Sequence, residues 1–356
     1  MAGRQVLSEM GEQPAVLAAI AANRGAFHAE IKAALPDPLR GICLVARGSS
    51  DNVAIHARYL LELATGLPVS MVAPSLITRY GATLHTQGYL VVALSQSGRT
   101  PEIVSVATAL KKQGAAVIAV TNDLDSPLSE MAAVALSVGT SKELAVPATK
   151  TVTGQLALVT LLAEAVGAGV SAYIGSSDLG GDAAWATLPD VVSAVLADTA
   201  SIDAAVEVLK PHRSAIHLAR GLTYAAALEG ALKSKETSRR VHDGYSSADF
   251  LHGPLTVAGP DVPIIGYGAA GPVLVDVIET VGRAAALGAP VIGIGAPEVA
   301  ASVAGAVAVP VPGGLGEALA AIPLVVRGQQ LAIATTIALG MDPDSPEGLN
   351  KVTATR

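Results

Sequence analysis

The chain has 356 residues, enough for two domains with cores of their own. Its net charge of −7 and 3% aromatic content argue against a nucleic-acid partner, and a single cysteine excludes an internal disulfide. Hydrophobic residues make up 51% and mean hydropathy is +0.50, but Ala, Val and Leu supply most of this, and no uninterrupted apolar stretch suits a bilayer span.

The N-terminus, Met1-Ala-Gly-Arg-Gln5, has no apolar run behind its charge, so a signal peptide is not expected. Together with the lone cysteine this places the chain in a reducing cytoplasm, away from membranes. A leading helix starts at Glu12-Gln-Pro14. Strands follow at 41–46, 89–94, 116–121 and 133–138, with helices between them such as 52–65 and 101–113. Cys43 lies within the first strand and reads as a buried core thiol, not a nucleophile. A linker runs over 174–203; it opens on Gly175-Ser-Ser177 and Gly180-Gly181 and continues as a helix over 185–197. The second half predicts strands at 214–218, 262–267, 291–295 and 306–311; the long uncharged piece 299–316 holds two prolines and reads as strand plus loop. Short apolar runs alternating with Ala-rich helices give an α/β fold, a parallel sheet with helices on both faces.

The two halves are related. Ala46-Arg-Gly48 recurs as Ala219-Arg-Gly221, 173 residues on, and strand-then-Gly98 recurs as strand-then-Gly271 at the same spacing. Gly114, before the 116–121 strand, pairs with Gly288 at a spacing of 174. These concordant offsets predict a tandem duplication of one α/β unit.

The chemistry-bearing residues are divided between the halves. In the first, Ser95-Gln-Ser-Gly-Arg-Thr100 follows an apolar strand and opens a helix. Three hydroxyls and a Gln there exceed what an N-cap needs and predict a phosphate cradle at the positive end of the helix. The second copy reads Gly268-Ala-Ala270 before Gly271, so one phosphate site per chain is expected. Its own cluster is Ala227-Leu-Glu-Gly-Ala-Leu-Lys-Ser-Lys-Glu236, where Glu229, Lys233 and Glu236 fall on one helical face among apolar neighbours. Such spacing alone often marks a solvated salt-bridged stripe; partly buried, a Glu and a Lys shift each other toward values useful for proton transfer. His252 sits in a loop, Asp249-Phe-Leu-His-Gly-Pro254, after the polar stretch Asp243-Gly-Tyr-Ser-Ser247. Lys351 lies in the tail Pro346-Glu-Gly-Leu-Asn-Lys351, an amine of the kind carbonyl chemistry uses. The seven histidines show no metal spacing, and no metal or cofactor is expected.

Taken in order, Arg47-Gly-Ser-Ser50, Ser95-Gln-Ser-Gly98, Ala148-Thr-Lys150, Leu228-Glu-Gly-Ala-Leu-Lys233, His252-Gly-Pro254 and Leu349-Asn-Lys351 resemble the double sugar isomerase (SIS) family. That group includes the isomerase half of glucosamine-6-phosphate synthase and the SIS-type glucosamine-6-phosphate deaminases. The resemblance covers nearly the whole chain, from Glu12 to Lys351. It implies two tandem SIS domains, each a five-stranded parallel sheet flanked by helices. The expected boundaries are an N-terminal helical segment at 1–30, domains at 31–173 and 204–345, the 174–203 linker and a tail at 346–356.

By the family's pattern Ser50, Ser95, Gln96, Ser97 and Thr100 hold the phosphate, while Gly48, Ser49, Val146 and the backbone at Asn350 line the sugar. Glu236 would move a proton between C1 and C2 with help from Lys233 and, behind it, Glu229. His252 would open the ring, reaching the site from the neighbouring subunit of a homodimer. Lys351 would contact the open-chain ketose or form a Schiff base with it. Met1 is followed by Ala2 and not by the cysteine a glutamine-dependent synthase needs, so glutamine hydrolysis is not expected of this chain. Arg47, Ser49, Asp51, Arg99, Ser246-Ser-Ala-Asp-Phe-Leu-His252 and the Gly348–Thr355 wording look like the deaminase group, while Pro147 departs from it. The leading expectation is therefore hydrolysis of glucosamine 6-phosphate to fructose 6-phosphate and ammonia. The alternatives are another phosphosugar isomerase, a deglycase, an ammonia-dependent aminotransferase, or a sugar-phosphate sensor without turnover.

Overall fold

A computed structural model of the chain describes residues 2–167 and 180–351, so the Gly175-Ser-Ser177 start of the expected linker lies outside the described residues. Among the described residues ten strands form two five-stranded sheets. The first sheet holds β1 (Gly41–Val45), β2 (Val69–Met71), β3 (Tyr89–Leu94), β4 (Ala116–Thr121) and β5 (Val134–Ser137), in the order β2-β1-β3-β4-β5. The second holds β6 (Ser214–Ala219), β7 (Val241–Ser246), β8 (Ile264–Gly268), β9 (Val291–Gly295) and β10 (Val307–Pro310), in the order β10-β9-β8-β6-β7. Every pairing is parallel.

The two orders are the same winding. Each half begins on its second strand position, steps to one edge and then reverses, so each has a switch point between its first and third strands. The first strands begin at 41 and 214 and the fifth at 134 and 307, 173 residues apart in both cases. The duplication read from three short matches is thus present in the fold, and the chain is an α/β protein of two SIS-like sheets.

The helices before, between and just after the strands of the first sheet are α1 (Arg4–Gly11), α2 (Gln13–Ala22), α3 (Arg24–Ala34), α4 (Ser49–Thr65), α5 (Pro74–Thr78), α6 (Pro101–Lys112), α7 (Pro127–Met131) and α8 (Lys150–Gly167). Those of the second part are α9 (Asp182–Ala197), α10 (Ala200–Leu209), α11 (Tyr224–Ser238), α12 (Ser247–Leu251), α13 (Leu274–Ala286), α14 (Pro297–Ala301) and α15 (Glu317–Ala338). By compactness the chain divides into two units. One takes Met1–Ala15, Leu144–Thr149 and Gly180–Lys351; the other takes Val16–Glu143 and α8.

Covered on both faces, the central strands read as unbroken apolar runs. All five residues of β1 are buried, as are Leu90 to Leu94 of β3. Each such Leu, Ile or Val contributes about 1.5–3 kcal/mol of burial. Cys43 is buried in this core and free, and burial raises its thiol pKa. The edge strands differ: β2 has three residues, and β7 reads Val-His-Asp-Gly-Tyr-Ser with most of its side chains at least partly exposed. Neither carries the apolar signature, and most of the polar 243–247 stretch is strand. The Asp249–Leu251 part of the expected His252 loop is likewise helical, within α12, because the buried Phe250 anchors one turn against the second core. The N-terminal region holds three helices where one was expected.

In the larger unit α15 is the central helix. By length and apolar composition it is long enough to cross a membrane, yet 94% of its most apolar stretch is buried inside the protein. It also carries Arg327, 1% exposed, whose guanidinium donates to the carbonyls of Pro310, Val195 and Asp198 and to Asp198 Oδ2 at 2.8 Å. Every arm of a fully desolvated cation is thereby satisfied, the condition for tolerating one in a core.

Candidate functional site

In the Val16–Glu143 unit the expected phosphate turn lies at the carboxyl end of β3, beside the loop that leaves β1. That is the switch point of the first sheet, where open α/β sheets bind ligands. The chain must turn sharply there. Gly98 has φ +59°, and a Cβ on it would collide with Ser126 Oγ. Its N–H donates to Ser95 O at 3.1 Å, and its carbonyl accepts from Leu128 N at 3.2 Å. Ser95 is buried, with its Oγ 3.2 Å from Thr100 Oγ1, while Gln96, Ser97 and Thr100 are half-buried. Thr100 is the N-cap of α6 without a side-chain cap bond, and Pro101 follows as its first residue. The leading N–H groups of α6 therefore stay open at the positive end of the helix.

The neighbouring loop does the same for α4. Gly48, also at φ +59°, precedes Ser49 with no side-chain cap. Ser50 is buried and donates from Oγ to Gln155 Oε1 at 2.9 Å. A brace not foreseen from the sequence links the two loops: Arg47 Nε donates to Glu102 Oε2 at 2.9 Å, with Glu102 only 7% exposed. The structure thus brings Gly48, Ser49, Ser50, Ser95, Gln96, Ser97 and Thr100 to adjacent strand ends, with two uncapped helix N-termini among them. Arg99 turns outward onto Asp123 and the Asp125 carbonyl.

In the other unit, α11 carries the charged stripe. Lys233 Nζ donates to Glu236 Oε2 at 2.6 Å and stands 3.4 Å from Glu229 Oε1. Lys233 and Glu229 are each 1% exposed, and Glu236 is 24% exposed. This is not a solvated stripe: an ammonium is sealed between two carboxylates, one of which reaches the surface. Burying Lys233 is tolerated only because carboxylates face it on both sides, since an unpaired buried charge is strongly destabilising.

His252 caps the end of α12 and is exposed; among the described residues its imidazole makes no hydrogen bond or ion pair. Val146 is half-buried, its N–H bonded to the Asp344 carbonyl at 3.1 Å. The same loop is clamped by Glu9, whose buried carboxylate accepts from the amides of Leu144 and Ala145. Asn350 is exposed and Lys351 half-buried at the end of the described chain. Their turn is tied to the end of α11 by the Glu347–Arg239 ion pair at 2.5 Å.

A second polar cluster behind α11 escaped the sequence reading. His217 Nδ1 lies 2.9 Å from Tyr267 Oη, and its Nε2 lies 2.9 Å from His242 Nδ1, all three buried. Burial, with the charges of Arg240 and Lys235 behind it, lowers the His242 pKa to about 4. His217 is pushed down too, by burial first and then by His242 and Lys235. Both rings are therefore neutral near pH 7. Gly230 of α11 rests on this cluster so closely that a Cβ there would collide with the Tyr267 hydroxyl.

With that geometry in place, the likeness to known proteins is specific. The SIS domain model matches residues 40–165 and 208–298. A glutamine–fructose-6-phosphate aminotransferase (isomerizing) from Thermococcus kodakarensis is 31% identical over 355 residues, covering 97% of this chain and 57% of that protein. The chain spans little more than half the length of the curated relatives it matches. Among solved structures, the C-terminal domain of glucosamine-fructose-6-phosphate aminotransferase from Francisella tularensis superposes with a TM-score of 0.81 at 23% identity, covering 96% of this chain and 98% of that one. Glucosamine-6-phosphate deaminase from Thermotoga maritima superposes with a TM-score of 0.74 at 21% identity, covering 99% and 100%. Those two likenesses concern the fold. By the two matched segments and the doubled sheet, the chain belongs to the SIS domain family.

Proposed function

We propose that this chain catalyses aldose–ketose proton transfer on a sugar 6-phosphate, with exchange of ammonia at C2. The supporting observation is the α11 triad: of the three charged side chains, Glu236 is the accessible one, and Lys233 donates to it at 2.6 Å. In this reading the Glu236 carboxylate takes a proton from one of C1 and C2 and returns it to the other. The Lys233 ammonium offsets the negative charge that develops on the sugar oxygen, and Glu229 balances Lys233. The hydroxyls and open N–H groups of Ser50, Ser95, Gln96, Ser97 and Thr100 bind the phosphate, with Gly48, Ser49, Val146 and Asn350 along the sugar. His252, supplied by the second subunit of a homodimer, opens the ring, and Lys351 meets the open-chain ketose.

The direction of amino transfer is where the similarities change the expectation. The sequence motifs put hydrolysis of glucosamine 6-phosphate first. The 31% relative is an aminotransferase, whereas the deaminase likeness is at 21%. This favours the isomerase-domain reading: fructose 6-phosphate and free ammonia giving glucosamine 6-phosphate and water, the same chemistry run the other way.

The test is solvent exchange in D2O. Fructose 6-phosphate with ammonium, and separately glucosamine 6-phosphate, are followed by NMR for deuterium at C1 and C2 and for interconversion. Glu236→Gln should keep fructose 6-phosphate binding and lose about 10²–10⁴ in exchange rate. Tight binding of the sugar phosphate with no exchange in the parent protein would overturn the enzyme reading and leave a sensor. A panel including galactosamine 6-phosphate separates the amino sugars.

A further inference from the structure

The second half keeps the frame of the phosphate turn without its hydroxyls. Gly221 stands 173 residues after Gly48 and has the same φ of +59°. Arg220 pairs with Asp276 at 2.9 Å between the loop after β6 and the first turn of α13. Arg47 and Glu102 do so at 2.9 Å between the loop after β1 and the first turn of α6. The turn after β8, Gly268-Ala-Ala-Gly271, replaces Ser95-Gln-Ser-Gly98 and offers backbone N–H groups only.

A carboxylate of the chain itself enters this frame. Glu317 is the first residue of α15. Its Oε2 lies so close against Gly271 that a Cβ there would collide with it, and its Oε1 would stand 3.5 Å from a Cβ on Gly221. The Leu222 N–H donates to the carboxylate. A carboxyl group, ionised above about pH 7, thus sits between the first- and third-strand loops at the β6–β8 switch point, accepting from the Leu222 N–H and walled by glycines. That is the position and the donor type by which such folds take phosphate. Two glycines let the backbone come this near; any other residue at 271 would evict the carboxylate.

We propose that Glu317 is the built-in occupant of a second oxyanion site and holds it closed to phosphate monoesters, so that the chain accepts a phosphorylated ligand in its first half alone. The comparison with the first turn rests on the phosphate reading above, but the site itself is defined by the Gly221, Leu222, Gly271 and Glu317 contacts. Removing the occupant frees the Leu222 N–H and the space beside Gly221 and Gly271, a weak cradle because it lacks hydroxyls.

The experiment counts inorganic phosphate bound per full-length chain by equilibrium dialysis at pH 7.5, up to high millimolar concentration. Glu317→Ala should bind one more phosphate than the parent, and Glu317→Gln, which keeps the bulk of the side chain in the cradle, should not. Adding Gly271→Val to Glu317→Ala should erase the increment. Because the increment is read, it stands whether the parent binds one phosphate or none, and the latter result would count against the proposed function only. Circular dichroism melts verify folding, and Glu317→Ser serves if the alanine variant does not fold. Equal stoichiometry in parent and a folded truncation variant, or an increment that survives Gly271→Val, would overturn the proposal.

Discussion

Acid should loosen the second sheet through the buried His217–His242 pair. An imidazole titrates near 6.5 in an unfolded chain, and in the folded protein burial holds His242 at about 4. The unfolded chain therefore takes up the proton first as pH falls. The stability contributed by neutral His242 is complete above pH 6.5 and is lost between 6.5 and 4. The gap of about 2.5 between the two values corresponds to about 3 kcal/mol in all, and about 2 kcal/mol of it is gone at pH 5. His217 moves in the same direction. Glu317, raised to about 7 by burial, works against both, since the folded state holds its proton more tightly than the unfolded chain between pH 4.5 and 7. The comparison that isolates the pair is parent against His242→Gln, whose amide can still bond His217 Nε2. Because Glu317 acts alike in both proteins, the His242 contribution appears as their difference: between pH 7.5 and pH 5, hydrogen exchange of peptides spanning β6 and β8, corrected for intrinsic rates, should change by about 30-fold more toward exposure in the parent than in the variant, by the tenfold per 1.36 kcal/mol conversion. Parallel pH slopes in the two proteins between 4.5 and 6.5 would refute the assignment, because His242 would then titrate alike folded and unfolded.

Two substitutions probe the frame of the site. Gly98→Ala forces a side chain into φ +59° and onto Ser126 Oγ, so sugar-phosphate affinity should drop at least tenfold while the melting curve shifts by about 1–3 kcal/mol; unchanged calorimetric binding would mean that the turn does not hold the ligand. Arg327→Met strands the carbonyls of Val195, Asp198 and Pro310 and leaves Asp198 without its cation; the urea transition of this protein should lose about 3–5 kcal/mol, the usual cost of breaking a buried pair by removing one member.

What could be read in advance follows from where each element sits. β1, β3, β4, β6, β8 and β9 are covered on both faces, so burial alone dictates their Val, Ile and Leu runs, and their positions come within a residue or two of expectation. β2 and β7 are edge strands with one neighbour each. β5 and β10 are edges as well, but they keep Val-Ala-Leu and Val-Ala-Val runs and fall within the expected 133–138 and 306–311; β2 is too short at three residues to show a pattern, and β7 escapes because its His, Asp, Gly, Tyr and Ser give no apolar run. That single omission hides more than a strand. His242 lies on β7, and only the β6–β7 pairing, which puts Ala215 opposite His242 and His217 opposite Gly244, brings the two imidazoles together.

The phosphate turn was legible because its hydroxyls, its glycine and its helix are contiguous in the chain. The α11 stripe was legible as a pattern, but not that Lys233 is sealed while Glu236 is open, since that depends on what covers the helix. Arg47–Glu102, Glu9 on the 144–145 amides and Glu317 against Gly271 join residues 46 or more positions apart, and no local spacing encodes them. The duplication is the exception that makes one of these recoverable. Once the halves are aligned, the loss of Ser95, Ser97 and Thr100 equivalents around a retained Gly221 and Arg220 poses a question that composition cannot: why a chain would keep an anion-binding frame after deleting its side-chain donors. A carboxylate already seated in that frame answers it, because Glu317 takes the Leu222 N–H and a side chain at 271 would collide with it, so the glycines are kept for the built-in occupant.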